Sequence, residues 1–124
     1  MNHRIYAIRY AHLDRTSEHN FLGGDDHRSS MPLDYFVWLI RSPIGDILVD
    51  TGFDEVAAHR RSRQLVRPVA DGLMALGVDP KDITEVIITH MHYDHAGNLA
   101  LFPNARFHLQ DAEMAYCTGR AMTH

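Results

Sequence analysis

An α/β layered domain is the fold this sequence predicts, and two observations carry the expectation. Runs of β-branched and aromatic residues alternate with segments whose apolar residues recur at helical spacing. A cluster of three histidines and one aspartate then leaves the end of one such run at His90, where α/β sheets place their sites.

Taken in order, Ile5, Ala7, Ile8 and Tyr10 read as a first strand. Residues 14 to 34 are polar and rich in Gly, Ser and Asp, and they predict a long loop. Within it, Asp25, Asp26 and His27 offer metal-ligand chemistry, but Gly23-Gly24 before Asp-Asp more often makes a turn, and that is the reading kept. Tyr35 to Ile40 and Asp46 to Asp50 read as a hairpin around Ser42-Pro43-Ile44-Gly45. Thr51-Gly52 ends it, and Asp54 caps a helix through Val56, Ala57 and Ala58. Pro68 interrupts that helix or opens a new one, in which Val69, Leu73 and Leu76 fall at helical spacing before Gly77 and Pro80. Glu85 to Thr89 is a short apolar strand ending at His90. A short helix over Leu99 to Phe102, a strand over Ala105 to Leu109 and a last helix capped by Asp111 complete the chain. There is no internal repeat and no linker, so residues 1–124 are expected to form a single domain.

Composition narrows the partners. The formal charge is −4 with no basic stripe, which argues against nucleic acid. Arg60, Arg61, Arg63 and Arg67 read as a solvated helix face. The single cysteine, Cys117, excludes an intramolecular disulfide and reads as a buried core thiol. Residues 1–6 lack the apolar stretch of a signal peptide, and no run reaches transmembrane length. A cytoplasmic location with no membrane partner is therefore expected.

The chemistry lies in His90-Met91-His92-Tyr93-Asp94-His95. Imidazoles at i and i+2 on a turning segment can point to one metal, and a carboxylate at i+4 with an imidazole at i+5 can reach a second. This donor set suits Zn²⁺, Fe²⁺, Mn²⁺ or Co²⁺. Two such ions can hold a shared hydroxide that is nucleophilic at neutral pH while polarising the carbonyl it attacks. With 10 histidines and 12 aspartates in 124 residues, chance supplies this pattern in about 0.6% of such chains, so accident is a poor explanation.

His90-X-His92-X-Asp94-His95, with Leu48-Val49-Asp50-Thr51-Gly52 upstream, resembles the metallo-β-lactamase fold superfamily. Residues 31–35, His92 to Asn98 and Leu101-Phe102-Pro103 are similar to its N-acyl-homoserine lactonase-like branch. The resemblance implies an αββα sandwich, of which this chain would cover about the first half as one mixed sheet with helices. It implies that His90 and His92 bind the first metal and Asp94 and His95 the second, with Asp94 also the candidate catalytic carboxylate. Asp50 would steady the ligand loop by hydrogen bonds, although on its own it could equally satisfy turn amides. Two divalent ions are implied, zinc first among them, with iron, manganese or cobalt as alternatives. His108 and His124 match none of the family's later ligands.

The activity implied is hydrolytic opening of a lactone ring, an N-acyl-homoserine lactone, which would quench a quorum signal. A glyoxalase-II-like thioesterase has a similar motif at every ligand position and is the nearest alternative. The family's later ligands have no counterpart here, so the chain is expected to be a fragment or truncated product, inactive alone. Part of Tyr35 to Ile40 and of Val86 to Ile88 would then lack a covering layer. A homodimer or a missing C-terminal half would supply one. Otherwise the chain is a non-enzymatic half-domain that binds metal weakly or serves as an interaction module.

Overall fold

The computed structural model describes residues 2–14 and 32–119. Asp25, Asp26 and His27, and most of the expected 14–34 loop, lie outside the described residues. The strands are β1 (Arg4–Leu13), β2 (Leu33–Ser42), β3 (Gly45–Val49), β4 (Gln64–Leu65), β5 (Glu85–Ile87) and β6 (Arg106–His108). The helices are α1 (Glu55–Arg60), α2 (Val69–Ala75), α3 (Tyr93–Ala96) and α4 (Asp111–Thr118), with 3₁₀ turns at Pro80–Asp82 and Leu99–Leu101. One mixed sheet runs in the order β4-β1-β2-β3-β5-β6. Pairing is antiparallel from β4 to β3 and parallel from β3 to β6. Among the described residues no helix is long and apolar enough to cross a membrane.

Local chemistry explains most element ends. The Asp54 carboxylate accepts from the Ala57 amide at 2.9 Å and caps α1. Pro68 sits at the N-cap of α2, so it opens a new helix rather than interrupting the first. Gly77, at φ +76°, takes the left-handed turn after α2. Two expectations fail. Asp111 is the first residue of α4, not its cap: Gln110 holds the cap position, and no side chain bonds to the helix start. Cys117 is only half-buried, with its thiol donating toward Glu113 Oε1 at 3.5 Å. The two-residue β4 was not anticipated. It is too short for any periodicity, and only its pairing with Ala11 and His12 defines it.

The two faces of the sheet differ sharply. Ile8, Tyr10, Val37, Leu39, Leu48 and Val86 point to the side where Ala58 of α1 and Val69 and Leu73 of α2 pack, and all are buried. The alternating residues form rows on the other side: Ile5, Ile40 and Ile47, then Trp38, Val49 and Ile87. Ile5 is 66% exposed and Trp38 41%, so among the described residues no layer covers this apolar face. The exposed members of the two expected segments are Trp38 and Ile87, whereas Val37, Leu39, Val86 and Ile88 are buried.

Antiparallel pairing of β1 to β3 and parallel pairing of β3 with β5 bring three chain ends together. The C-terminal ends of β1, β3 and β5 share one edge, and the chain leaves β5 there into the histidine segment. Gly97 closes that segment, its amide bonding to the Gly52 carbonyl at 2.8 Å. A Cβ at Gly97 would meet the Gly52 and Tyr93 carbonyl oxygens at 2.6 Å and Phe53 Cα at 2.9 Å, all of them backbone that cannot step aside. At Gly77 a Cβ meets nothing within 4 Å, so only the left-handed conformation resists substitution. Gly97→Ala is therefore expected to lower stability by about 1–3 kcal/mol through overpacking. Gly77→Ala should cost about 1 kcal/mol. Urea unfolding midpoints of the two variants check the order.

Candidate metal centre

The centre is built by two segments that leave neighbouring parallel strands. After β3 the chain turns through Asp50-Thr51-Gly52, and after β5 it runs from Ile88 to Asn98. The turn clasps the loop. Thr51 N and Oγ1 both donate to the His95 carbonyl, at 2.7 and 3.0 Å. The Asn98 amide donates to Thr51 Oγ1 at 3.1 Å, and its side-chain Nδ2 to the Thr51 carbonyl at 2.9 Å. From β1, the buried Tyr10 hydroxyl donates to the Asp94 carbonyl at 2.9 Å.

Asp50 lies at the centre of this clasp and is only 3% exposed. Its φ is +63°, a left-handed conformation that Asp tolerates better than most residues. Oδ1 accepts from Thr89 N at 2.8 Å, while Oδ2 accepts from Thr89 Oγ1 at 2.8 Å and contacts His95 Nδ1 at 2.6 Å. Burial pushes the carboxyl up, but the bonds from His95 and Thr89 outweigh it and hold Asp50 below the usual carboxylate range. Asp50 thus reaches a candidate ligand directly, and the amide it satisfies belongs to Thr89 of the facing segment.

The structure brings His90, Asp94 and His95 together, with the His92 ring beside that of His90. The His90 ring centroid lies 3.9 Å from that of His95 and 4.6 Å from that of His92. Donor atoms of His90, Asp94 and His95 all fall within 4.8 Å of one another. His92 stands at the N-cap of α3, beside His90 but outside that triple. His95 Nε2 is 3.3 Å from Asp94 Oδ2. With Nδ1 committed to Asp50, Nε2 is the nitrogen facing the cluster. Two imidazoles and a carboxylate with converging donors fit a divalent ion of the zinc type. The Asp50 bond, and after it the Asp94 contact, push His95 up to about 9. Burial raises Asp94, yet the bond from His95 and the charges of His95 and His90 leave it lowered.

Sequence reasoning missed several supporting residues. Thr89 Oγ1 bridges Asp50 and His90 Nδ1, the latter at 3.0 Å. Glu113 of α4 accepts from the Met91 amide. Arg61 and Arg63 are not simply a solvated helix face. Arg61 stacks its guanidinium 3.7 Å from the Tyr93 ring centroid, and Arg63 Nε donates to the Tyr93 hydroxyl at 3.1 Å. Tyr93 in turn lies against Phe53, which also meets Tyr10 and Tyr35 edge-on. Apart from Thr89 with its neighbour His90, these pairings join residues far apart in the chain and leave no short-range signal. His108 is engaged by Glu85 on the next strand and is not part of the converging group.

Residues 31–116 match the model of the Metallo-beta-lactamase superfamily, and the chain belongs to that superfamily. Within it, the chain is similar to the N-acyl homoserine lactonase AttM of Agrobacterium fabrum, 29% identical over 126 residues that cover 91% of this chain and 48% of AttM. It is 30% identical over 115 residues to an N-acyl homoserine lactonase of Bacillus cereus, covering 82% of this chain and 45% of the relative. A crystal structure of a quorum-quenching N-acyl homoserine lactone lactonase superposes with a TM-score of 0.71 at 26% identity, covering 95% of this chain and 49% of that one. The chain spans about half the length of the curated relatives it matches.

The Asp50–His95 contact has a pH signature in the metal-free protein. Folding raises the His95 pKa from 6.5 to about 9. Its stabilisation is therefore complete below about pH 6.5 and is lost as pH rises through about 9. Asp50→Asn should bring the His95 ring down toward its ordinary value in an NMR titration and weaken that pH dependence of unfolding. A His95 ring titrating near 6.5 with Asp50 intact would contradict the geometry.

Proposed function

We propose that this chain carries the ligand loop of a metal-dependent hydrolase that opens N-acyl-homoserine lactones and so quenches a quorum signal. The observation that carries the reading is His95 held at Nδ1 by buried Asp50, with Nε2 facing Asp94 and His90. A histidine whose second nitrogen is fixed by a carboxylate is the arrangement that orients metal-binding imidazoles. Similarity to lactonases over nearly the whole chain supports the substrate class.

His90 and His92 are proposed ligands of one ion and Asp94 and His95 of a second, with zinc the first choice for both. His90 sits at the junction, since its ring neighbours both His92 and His95. Bound divalent ions supply Lewis acidity toward a carbonyl and make water nucleophilic near neutral pH. The chain's own residues do the rest. Asp50 fixes the tautomer of His95, with Nδ1 donating and Nε2 free to ligate. Thr89 Oγ1 ties Asp50 to His90. Asp94, kept ionised beside His95, can take up and return a proton at Oδ2. The uncovered sheet face is where a second layer would pack, from a further part of the fold or from a second copy.

The test pairs metal content with turnover. The 124-residue chain should hold well under two equivalents of zinc, because its four candidates are too few for two full coordination shells. Pairing with the second half of the fold should give lactone opening, followed by pH-stat titration with N-hexanoyl-homoserine lactone. His92→Ala should lower that activity about 100-fold or more through lost metal. Preference for an acyl-glutathione thioester would move the assignment to a glyoxalase-II-like enzyme. Metal uptake with neither activity would leave a metal-binding module.

A further inference from the structure

We propose that Glu113 is a positioning residue for the ligand loop, holding the Met91 amide so that His90 and His92 present their rings in fixed directions. The inference rests on the metal reading above and names a residue on another element that sustains it. Glu113 Oε1 accepts from Met91 N at 2.9 Å, across 22 residues of sequence. Met91 stands between the two imidazoles, and its amide belongs to the His90–Met91 peptide, so anchoring it fixes that plane and the point from which the chain continues to His92. The His90 ring direction depends on that plane directly, and that of His92 through the Met91 backbone that starts from it.

Topology brings the carboxylate there. β5 and β6 are parallel neighbours, tied further by Ile88 N donating to the His108 carbonyl at 2.9 Å. The loop leaves the C-terminal end of β5 and α4 leaves the same end of β6, which sets the first turn of α4 beside Met91. Packing does not account for the helix's place, because α4 buries none of its residues. The Met91 amide is also the largest influence holding Glu113 below its ordinary value, with His90 and His92 adding to it. An ionised carboxylate is acceptor-only, which suits an anchor for a backbone N–H.

Cobalt(II), added to the metal-free 124-residue chain, reads the effect without any assay of activity. Affinity follows from competition with a chelator, and the visible absorption of the bound ion reports its coordination. Glu113→Ala is expected to weaken Co²⁺ binding about 10- to 100-fold and to alter the absorption band. Glu113→Gln keeps a carbonyl oxygen for the Met91 amide and should recover affinity to within about threefold of the unsubstituted chain. Thermal midpoints of the metal-free variants separate loss of fold from loss of positioning. If Glu113→Ala is itself unstable, the Gln variant decides. Unchanged affinity and band in Glu113→Ala would overturn the inference, as would a folded Gln variant as weak as Ala. Absence of Co²⁺ binding by the unsubstituted chain would instead bring down the metal reading, and this inference with it. Binding that His92→Ala weakens keeps that reading whatever Glu113 does.

Discussion

The carboxylate of Asp50 accepts from the backbone and hydroxyl of Thr89 and from the ring of His95, and the geometry of the whole centre follows from that set of contacts. A buried, ionised carboxylate without partners would be strongly unfavourable. Here the partners are polar groups of the facing segment, so satisfying the charge and fixing the histidine loop are one event. The positive φ of Asp50 is a local cost of about 1–3 kcal/mol. It persists because the hydrogen bonds on both sides of the turn over-determine the conformation.

This arrangement depends on parallel pairing between β3 and β5. An antiparallel neighbour would place the two exits at opposite ends of the sheet. Parallel pairing requires a crossover, and α1, β4 and α2 form it, covering the face that holds Leu39, Leu48 and Val86. The same helices that bury the core therefore allow two strand ends to meet. On the other face, Ile5, Trp38 and Ile87 remain exposed in apolar rows. Such a face is complementary to another apolar layer rather than to water.

Much of this was legible in the sequence because the signals were local. β-branched runs marked β2, β3 and β5, Asp54 marked the start of α1, and Gly77 marked the end of α2. The convergence of His90, Asp94 and His95 was legible because their spacing is itself the signal. What escaped was carried by distance along the chain. Arg61 and Arg63 read as solvated cations, yet Tyr93 engages both, thirty or more residues away. Asp111 has the residue type of a cap, but the helix starts one residue earlier than that role requires. Glu113 and Thr89 belong to no motif, and only the parallel sheet gives them meaning. Cys117 read as core because its neighbours are apolar, whereas α4 has no buried face.

The supports of the loop come from separate elements: the Asp50 turn after β3, Tyr10 on β1, Arg63 after α1 and Glu113 on α4. Each holds a different point, namely the His95 ring, the Asp94 carbonyl, the Tyr93 hydroxyl and the Met91 amide. Residues 91 to 95 are thereby fixed by groups outside the four candidates. A loop organised this way differs from small metal domains whose fold appears only with the ion. Donor atoms of His90, Asp94 and His95 already converge within 4.8 Å in the protein alone. Ordering of the site is then part of folding the sheet, and an ion meeting these donors has little chain entropy left to oppose it.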